Sequence, residues 1–360
     1  MRVAAKPVSP KAHLASIARV PHPAHTREGW ELMDRNERTG DFPPEVMREL
    51  RELISPFALR AYPEPEPLYQ KLAAWLGVPR ETVLLTMGAD GALKAIFEVF
   101  VDAGEEIVGA WPAFAMYPVY CQMVGARWTP VPFHEDLTLP LGEIVEQITD
   151  RTKLVVLANP NQPVERAYDD AELRTLVERC VRHGAILVMD EAYHHFCPYT
   201  ALPLLGDYPN LFVVRSFSKA FGIAGLRLGY CVSHQDHITA LNSVRPIAEV
   251  HAVAVAVGGY LLDHLELMTA HVAEVNATRA FLRDACGRLG LPALGQWGNW
   301  LTVPLPSARP AQEVALTLRE RGFLVRAEAG GPPPNHLRVT GGGRRQAERF
   351  LAAFEEIMAR

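Results

Sequence analysis

Seven short apolar segments occur between residues 83 and 232, and amphipathic segments separate several of them. The apolar segments are Val83–Thr86, Glu106–Ala110, Arg127–Pro132, Lys153–Ala158, Ala185–Met189, Leu211–Val214 and Leu228–Val232. The amphipathic segments are Ala92–Phe100, Met116–Val124 and Ala171–Arg182. Segments 153–158 and 185–189 do not alternate apolar with polar residues, which is typical of strands buried on both faces. The pattern predicts an α/β fold with a doubly wound, mostly parallel seven-stranded sheet.

The residues on either side of this segment have different patterns. Residues 1–44 are rich in Pro, His, Arg and Ala and show little periodicity, so we expect an extended N-terminal arm. Residues 60–67 contain three prolines and predict a stiffened, extended loop within a large domain at 45–244. Residues 245–360 predict a smaller α/β domain. Its predicted helices are Ala248–Leu267, Val272–Leu289 and Arg345–Ala359, and its predicted strands are Trp300–Val303, Phe323–Val325 and His336–Val339.

Composition and charge narrow the classes of function. The 360 residues carry a formal net charge of −5, so no basic excess favours nucleic-acid binding. The five cysteines are widely spaced without a Cys-x-x-Cys pair, which is typical of a reducing compartment. The N-terminus has no apolar signal segment, and the longest apolar run falls short of the roughly 20 residues a membrane helix needs. We expect a soluble, cytoplasmic protein that binds no membrane.

A lysine lies in a segment suited to covalent chemistry. Ser216-Phe-Ser218-Lys219 follows the predicted strand Leu211–Val214, and Arg227 comes eight residues after the lysine. An amine that forms a Schiff base needs partial desolvation, so that its neutral form is available. The serines, the arginine and nearby glycines together can bind an anion. An exposed lysine in a polar loop is the simpler interpretation of the segment taken alone.

Three further segments follow predicted strands. Asp190-Glu-Ala-Tyr193 places a carboxylate at the carboxyl edge of the sheet, where α/β proteins bind ligands. Such a carboxylate can keep a pyridine nitrogen protonated, although a helix cap or loop acid is as plausible. Gly88-Ala-Asp90-Gly follows another strand and can present helix N–H groups to phosphate. Asn159-Pro-Asn161-Gln162-Pro can hydrogen-bond a phenolic oxygen or simply form a turn.

Other candidates are weaker. Phe114, in Trp111-Pro-Ala-Phe114, could stack on a planar ring or belong to the core. His194, His195 and Cys197 do not match a standard zinc spacing, so we expect no metal site. Residues 341–343, Gly-Gly-Gly, predict a turn and a helix start rather than an anion site. Arg326 could bind a distal anionic group of a substrate or lie free on the surface.

Taken in order, these segments resemble the fold-type I pyridoxal phosphate enzymes. The closest resemblance is to class I and II aminotransferases of the histidinol-phosphate aminotransferase type, from about Leu32 to the C-terminus. Its most specific part is Ser-Phe-Ser-Lys219 with Ala-Gly-Leu-Arg227 and the upstream Asp-Glu-Ala-Tyr193. The resemblance implies that pyridoxal 5′-phosphate is the cofactor and that the substrates are an amino acid and a 2-oxo acid. It also implies a homodimer with its active sites at the interface.

The resemblance implies a role for individual residues. Lys219 corresponds to the lysine that forms the internal aldimine and carries the proton, Asp190 to the partner of the pyridinium, and Tyr193 to a donor to the phenolic oxygen. Ala89, Asp90, Ser216, Ser218 and Arg227 correspond to the phosphate-binding residues. Phe114 takes the ring-stacking position, and Tyr62 corresponds to a tyrosine that reaches the neighbouring subunit's phosphate. Arg338 corresponds to the clamp for the substrate carboxylate, and Asn36 and Arg326 are further substrate-binding candidates.

One departure from the family pattern affects the predicted chemistry. The family commonly has Asn-Asn-Pro-Thr-Gly where this chain has Asn161-Gln162-Pro-Val-Glu165. Gln162 therefore takes the position of the asparagine that contacts the phenolic oxygen, and either Gln162 or Asn161 could make that contact. The amino donor stays open between histidinol phosphate, other phosphorylated or phosphonate amino acids, and aromatic amino acids.

An aminotransferase is the leading functional hypothesis. The first alternative is a decarboxylase of the threonine-phosphate decarboxylase type, because both classes bind amino acids. The second alternative is a non-catalytic cofactor-binding regulator. Regulators related to this family carry an added DNA-binding domain, for which this chain has neither the length nor the charge.

Overall fold

A computed structural model describes residues 8–15, 17, 26–329 and 333–359 of the chain. The twelve strands are β1 (Glu31–Leu32), β2 (Val83–Met87), β3 (Glu106–Trp111), β4 (Arg127–Pro132), β5 (Thr152–Ala158), β6 (Ile186–Asp190), β7 (Leu211–Ser216), β8 (Leu228–Ser233), β9 (Trp300–Pro304), β10 (Phe323–Leu324), β11 (Arg326–Ala329) and β12 (Asn335–Thr340).

The helices between and around these strands also number twelve in the described residues. They are α1 (Pro44–Glu52), α2 (Pro56–Arg60), α3 (Glu66–Leu76), α4 (Gly88–Phe100), α5 (Met116–Val124), α6 (Leu141–Gln147), α7 (Asp170–Arg182), α8 (Gln235–Val244), α9 (Ala252–Asp263), α10 (Leu265–Arg288), α11 (Ala311–Glu320) and α12 (Arg344–Ala359). Short 3₁₀ turns occur as well, among them Ala12–Leu14 and His194–Phe196.

The large sheet has seven strands in the order β2-β8-β7-β6-β5-β3-β4. Strand β8 is antiparallel to both of its neighbours, and every other pairing is parallel. The predicted mostly parallel seven-stranded sheet is therefore confirmed. Apolar clusters cover both faces of the central strands, which explains why β5 and β6 are continuous apolar runs.

The C-terminal part builds a second, smaller sheet of three antiparallel strands in the order β11-β12-β9. The predicted strand Phe323–Val325 is in part wrong, because β10 ends at Leu324 and pairs in parallel with β1, outside this sheet. Strand β11 was not predicted, because Arg326-Ala-Glu-Ala329 has no large apolar residue to mark it. Within the predicted N-terminal arm, Glu31 and Leu32 thus contact the C-terminal part of the chain. The domain boundaries after residues 44 and 244 remain predictions.

Two local predictions need correction. The predicted helix Ala248–Leu267 is wrong, because α9 begins at Ala252 and ends at Asp263, and α10 continues at an angle of 80°. Apolar residues occur up to Leu262 in α9 and again from Leu265 in α10, so the sequence pattern does not indicate the bend between them. The predicted loop 60–67 is shorter than expected, because α3 begins at Glu66 with a proline in its first turn.

Among the described helices, none is by itself long and apolar enough to cross a bilayer, whereas the bent pair α9 and α10 has sufficient length and apolar composition when taken together. All five cysteines are buried and free of disulfides.

Candidate functional site

The predicted site residues lie where the ends of several strands meet at one edge of the large sheet. Asp190, the last residue of β6, pairs with Ala158 of β5 and Val214 of β7. Ser216, the last residue of β7, pairs with Gly229 of β8. Met87 at the end of β2 also pairs with the start of β8, since β8 is antiparallel. The carboxyl ends of β2, β5, β6 and β7 therefore share one edge, where open α/β sheets bind ligands.

Asp190 is a buried carboxylate with two hydrogen-bond donors. The Tyr117 hydroxyl donates to its Oδ2 at 2.8 Å, and the backbone N–H of Ala192 donates to its Oδ1 at 3.1 Å. Burial raises the pKa of Asp190 to about 6, although both hydrogen bonds act to lower it. A cation beside this carboxylate would favour its charged form, because burial disfavours an isolated charge. The position therefore suits a protonated ring nitrogen.

The segment that carries Asp190 is held by a buried ion pair. Glu191 accepts two hydrogen bonds from Arg215, through Nε at 3.1 Å and Nη2 at 2.9 Å. It also accepts one from the Thr200 hydroxyl at 2.7 Å and one from the backbone N–H of Ala201 at 2.6 Å. The Glu191 side chain is fully buried, so these contacts fix the backbone next to Asp190.

Tyr193 and Lys219 both contact the N-terminal part of the chain, at Asn36 and Arg35 respectively. The Lys219 Nζ is 5.5 Å from the centroid of the Tyr193 ring and donates to the backbone carbonyl of Arg35 at 3.2 Å. The Asn36 side chain donates to the Tyr193 hydroxyl at 2.9 Å. Asn36 is buried and has a left-handed backbone with φ 56°, which asparagine tolerates better than most residues. It therefore orients Tyr193 as well as lying near the predicted substrate site.

A close approach of two backbones shapes the predicted phosphate site. Gly88 begins α4 with φ +74°, and a Cβ there would lie 2.9 Å from Arg227 Nη2. A Cβ at Gly229 would lie 2.4 Å from the backbone carbonyl carbon of Gly88. The Arg227 guanidinium thus lies against the start of α4, where the N–H groups of the first helical turn lack helical acceptors. An arginine beside a helix N-terminus suits a phosphate group.

The other predicted phosphate residues lie in the same region. Ser216 and Ser218 are buried, and the Ser216 hydroxyl accepts a hydrogen bond from the Ser218 backbone N–H at 2.9 Å. Ala89 is buried in the first turn of α4. The side chain of the neighbouring Asp90 accepts a hydrogen bond from the Tyr120 hydroxyl. The Asp90 carboxylate is therefore engaged within the protein, which leaves its backbone N–H as the group for an anion.

The loop after β5 contains the departure from the family pattern. The Asn161 amide donates to the backbone carbonyls of Pro112 at 3.0 Å and Val164 at 2.9 Å, so it holds the loop together. Its Oδ1 is buried and has no hydrogen-bond partner among the described residues. Gln162 is half-buried. Glu165 accepts hydrogen bonds from the backbone N–H groups of residues 296 and 297, which ties this loop to the C-terminal part.

Phe114 and the predicted substrate residues differ in their exposure. Phe114 is half-buried, with its ring centroid 5.6 Å from that of Tyr117, so it remains available for a ring contact. The Arg338 side chain is mostly buried and donates to the backbone carbonyl of Asp34 at 3.1 Å. The Arg326 side chain is 58% exposed on β11, and Tyr62 is 85% exposed. Tyr62 is thus largely open to solvent in the single chain.

The histidines after Tyr193 lie behind the site rather than in it. His194 and His195 line a cavity of about 720 Å³, whose walls also include Trp75 and Arg215. Burial lowers the pKa of both histidines to about 3, with the positive charge of Arg215 acting in the same direction. Within residues 8–15, 17, 26–329 and 333–359, no cluster of three or more His, Cys, Asp or Glu could hold a metal ion.

Sequence reasoning missed several residues that contact the site. Tyr117 donates to Asp190 and lies three residues after Phe114, so the segment was recognised but this tyrosine was not. Tyr120, one helical turn later, reaches Asp90. Asn299 donates to the backbone carbonyl of Asn36 at 2.9 Å. These contacts join elements far apart in the chain, and no spacing rule could have indicated them.

The residues present fit pyridoxal phosphate. The buried Asp190 carboxylate suits the pyridinium nitrogen, and the Lys219 amine suits the aldehyde. The start of α4 with Arg227, and the hydroxyls of Ser216 and Ser218, suit the phosphate.

Comparisons with known proteins give the same family. The profile described as "Aminotransferase class I and II" matches residues 30–354. A histidinol-phosphate aminotransferase of Symbiobacterium thermophilum is 34% identical over 304 residues, which is 83% of each chain. The crystal structure of histidinol-phosphate aminotransferase from Sinorhizobium meliloti in complex with pyridoxal-5′-phosphate superposes with a TM-score of 0.81 at 25% identity, covering 91% of this chain and 90% of the other.

A decarboxylase shares the fold. The structure of L-threonine-O-3-phosphate decarboxylase from Porphyromonas gingivalis superposes with a TM-score of 0.78 at 24% identity, covering 91% of this chain and 99% of the other. The fold by itself does not separate the two reactions; relatives at 31% to 34% identity are named histidinol-phosphate aminotransferases. The chain belongs to the class I and II aminotransferase family and is a pyridoxal 5′-phosphate-dependent aminotransferase.

Proposed function

We propose that this aminotransferase binds its cofactor covalently through Lys219 and holds the cofactor's ring nitrogen on Asp190. The observation that carries the proposal is the buried carboxylate at the end of β6, whose hydrogen-bond donors among the described residues are Tyr117 and Ala192. The protonated ring, when bound, draws electrons from the Cα–H bond that breaks. Asp190 keeps the nitrogen protonated, because a buried carboxylate strongly favours a cation at its side.

Lys219 and Tyr193 act next to each other. Lys219 Nζ would hold the cofactor's aldehyde and would be the group that takes and returns the substrate's Cα proton. Tyr193 would donate its hydroxyl hydrogen to the cofactor's phenolic oxygen. The Asn36 amide donates to the hydroxyl oxygen of Tyr193, which leaves the hydroxyl hydrogen of Tyr193 free to be donated to the cofactor.

The remaining cofactor contacts follow from the same edge of the sheet. Asn161 and Gln162 are the candidates for a second contact with the phenolic oxygen, and Phe114 would lie against the ring. The backbone of Ala89 and Asp90 and the side chains of Ser216, Ser218 and Arg227 would hold the phosphate.

The substrates are an amino acid and a 2-oxo acid. In this proposal Arg338 binds an anionic group of the substrate. The guanidinium of Arg338 has a buried Nε with no hydrogen-bond partner among the described residues, which an anion can satisfy. Asn36 and Arg326 are the further substrate-binding candidates on the same side. Because its relatives include histidinol-phosphate aminotransferases, histidinol phosphate belongs in the first donor panel beside the common amino acids.

The functional unit in this proposal is a homodimer in the cytoplasm. Ile54, Phe57, Leu59 and Tyr62 are large apolar or aromatic side chains, each 48% exposed or more, within nine consecutive residues. Contiguous exposed apolar surface of this kind is typical of a subunit interface. A second copy covering this patch would bring Tyr62 to the phosphate of its neighbour, as the resemblance implies.

The test combines chemical trapping with a half-reaction. The purified holoenzyme is reduced with borohydride, digested and analysed by mass spectrometry, and we expect the cofactor on the Lys219 peptide. Lys219→Ala should lose the label and the activity, whereas Lys153→Ala, on an exposed side chain, should keep both. Wild-type enzyme mixed with an amino donor alone should form pyridoxamine phosphate without releasing carbon dioxide. Label on another lysine, or carbon dioxide release, would contradict the proposal.

A further inference from the structure

One face of the small sheet carries a cluster of charged residues. In the β11–β12 pairing, Arg326 lies opposite Arg338 and Glu328 lies opposite His336. Residues directly opposite each other in an antiparallel pair project from the same face. The opposite face carries the buried Leu337, which packs in the apolar core of the C-terminal part. All four charged or polar side chains therefore lie together on one surface.

That face is turned toward the cofactor site. Thr302 of β9 pairs with Arg338 and so belongs to the same face. Its hydroxyl donates to the backbone carbonyl of Pro163 at 3.0 Å, in the loop that contains Gln162. Arg338 itself donates to the backbone carbonyl of Asp34, two residues before Asn36. The charged face and the cofactor-binding edge of the large sheet thus enclose one site.

Glu328 is the acidic member of this face, and it contacts both arginines. Its carboxylate lies 3.4 Å from Arg338 Nη1, 3.9 Å from Arg326 Nε and 3.5 Å from His336 Nε2. Its side chain is 21% exposed. Burial acts to raise its pKa, but the hydrogen bond with His336 and the charge of Arg338 outweigh burial and hold the pKa below its usual value. Glu328 is therefore a negative charge that already lies against Arg338 before any substrate binds.

The Arg338 guanidinium has limited capacity left for a substrate. Glu328 neutralises it at Nη1, and the Asp34 carbonyl accepts from Nη2. The buried Nε has no partner within the described chain. A carboxylate can occupy the edge formed by Nε and Nη2 through two parallel hydrogen bonds. A phosphate dianion would lie beside the negative charge of Glu328, which already pairs with both arginines of this face.

The charge of the surrounding network leads to the same conclusion. The ion-paired group at Arg338 consists of two guanidinium groups and one carboxylate, which leaves a net charge of one positive unit. Its members are Arg326, Arg338 and Glu328. One excess positive charge matches one monoanionic group, and a dianion would leave the site with a net negative charge.

We propose that Glu328 is a specificity-determining residue that restricts the anion site at Arg338 to a single carboxylate and disfavours phosphate. The preferred amino donors are then 2-amino acids rather than phosphate esters of amino alcohols. This inference rests on the proposed role of Arg338 in the function above. Two like charges about 6 Å apart at an effective dielectric of about 40 repel by about 1.4 kcal/mol, which corresponds to about tenfold in binding.

The test compares two donors that share the imidazole side chain and differ in the anionic end, which is a carboxylate on Cα in L-histidine and a phosphate ester one methylene further from Cα in L-histidinol phosphate. Single-turnover half-reactions are measured with wild-type holoenzyme, Glu328→Gln and the control Glu320→Gln. Glu320 is exposed on α11, so its substitution removes the same charge away from the site. We expect wild type to favour L-histidine, and E328Q to improve kcat/KM for L-histidinol phosphate about tenfold more than for L-histidine. E320Q should leave the ratio unchanged.

A binding measurement accompanies the kinetics. Titration calorimetry of the holoenzyme with inorganic phosphate and with acetate should show that E328Q tightens acetate about tenfold and phosphate dianion by about a further factor of ten. A wild-type preference for L-histidinol phosphate, or an E328Q selectivity equal to that of E320Q, would overturn the inference; the wild-type comparison does not depend on how the variant folds. If no donor forms pyridoxamine phosphate with wild type, the proposed function fails instead.

Discussion

The buried pair of Glu191 and Arg215 allows a quantitative test of how the segment carrying Asp190 is held. Substituting Glu191→Gln keeps the shape of the side chain but removes its charge. It also places an amide NH₂ group against the donors that surround the Glu191 carboxylate in the native chain. These donors are Arg215, the Thr200 hydroxyl and the backbone N–H of Ala201. Arg215, whose side chain is 4% exposed, would then be a buried cation without its counter-ion.

The magnitude follows from this geometry. Removing one partner of a buried, hydrogen-bonded ion pair costs about 3–5 kcal/mol, because the remaining charge stays desolvated. The matched control is Glu98→Gln, which breaks the pair between Lys94 and Glu98, whose side chains are 48% and 45% exposed. An exposed pair of this kind contributes about 0.5 kcal/mol or less, because water screens it. The two substitutions therefore separate a buried pair from a surface pair within the same domain.

The assay is urea unfolding of the full-length cofactor-free chain, followed by circular dichroism. We expect E191Q to lower the free energy of unfolding by about 3–5 kcal/mol and E98Q by about 0.5 kcal/mol or less. The double variant with Arg215→Met should cost at least about 2 kcal/mol less than the sum of the single variants, since the second substitution removes the stranded charge. Equal effects of E191Q and E98Q, or strict additivity in the double variant, would refute this account of the pair.

Two further predictions concern the loop at Glu165 and the start of α4. Burial raises the pKa of Glu165 from 4.5 to about 7, so the folded chain keeps a proton that the unfolded chain releases. Stability should then fall by about 2 kcal/mol between pH 5 and 7, measured by urea unfolding at several pH values, and E165Q should flatten this dependence. Gly88→Ala should weaken pyridoxal phosphate binding about tenfold or more, measured by fluorescence titration, because a left-handed alanine is strained and its Cβ would displace Arg227. The control Gly142→Ala, where a Cβ meets nothing within 4 Å, should bind the cofactor normally; equal affinities of the two variants would rule out the strain argument.

The strands of the large sheet were predictable because strands buried on both faces are written in the sequence as short, continuous apolar segments. Each of the seven predicted segments is a strand, with ends that differ by at most two residues. The bend between α9 and α10 was not predictable, because apolar residues lie on both sides of it and no proline or glycine marks His264. Strand β11 was missed for the opposite reason, since its residues are small or charged and its position depends on its partner β12.

The residues of the candidate site likewise include some that the sequence indicates and others that only the fold reveals. Lys219 and Asp190 could be singled out because each follows a buried strand in a segment of distinctive residue types. Tyr117 could not be assigned to Asp190, because the two are 73 residues apart in the chain and meet through the packing of α5 on the sheet. Glu328 carries no local signal either, since its effect depends on the register that places it beside Arg338.

The sequence by itself therefore determined the order of strands and helices, the family resemblance and the chemically distinctive residues, because these depend on local composition and periodicity. The tertiary structure alone decided which donors surround Asp190, which carbonyl holds Lys219 and which charges share the face of Arg338. Those properties arise from strand register and from contacts between distant segments. Electrostatic and hydrogen-bonding energies depend on distances of a few ångströms, and only the folded chain sets such distances.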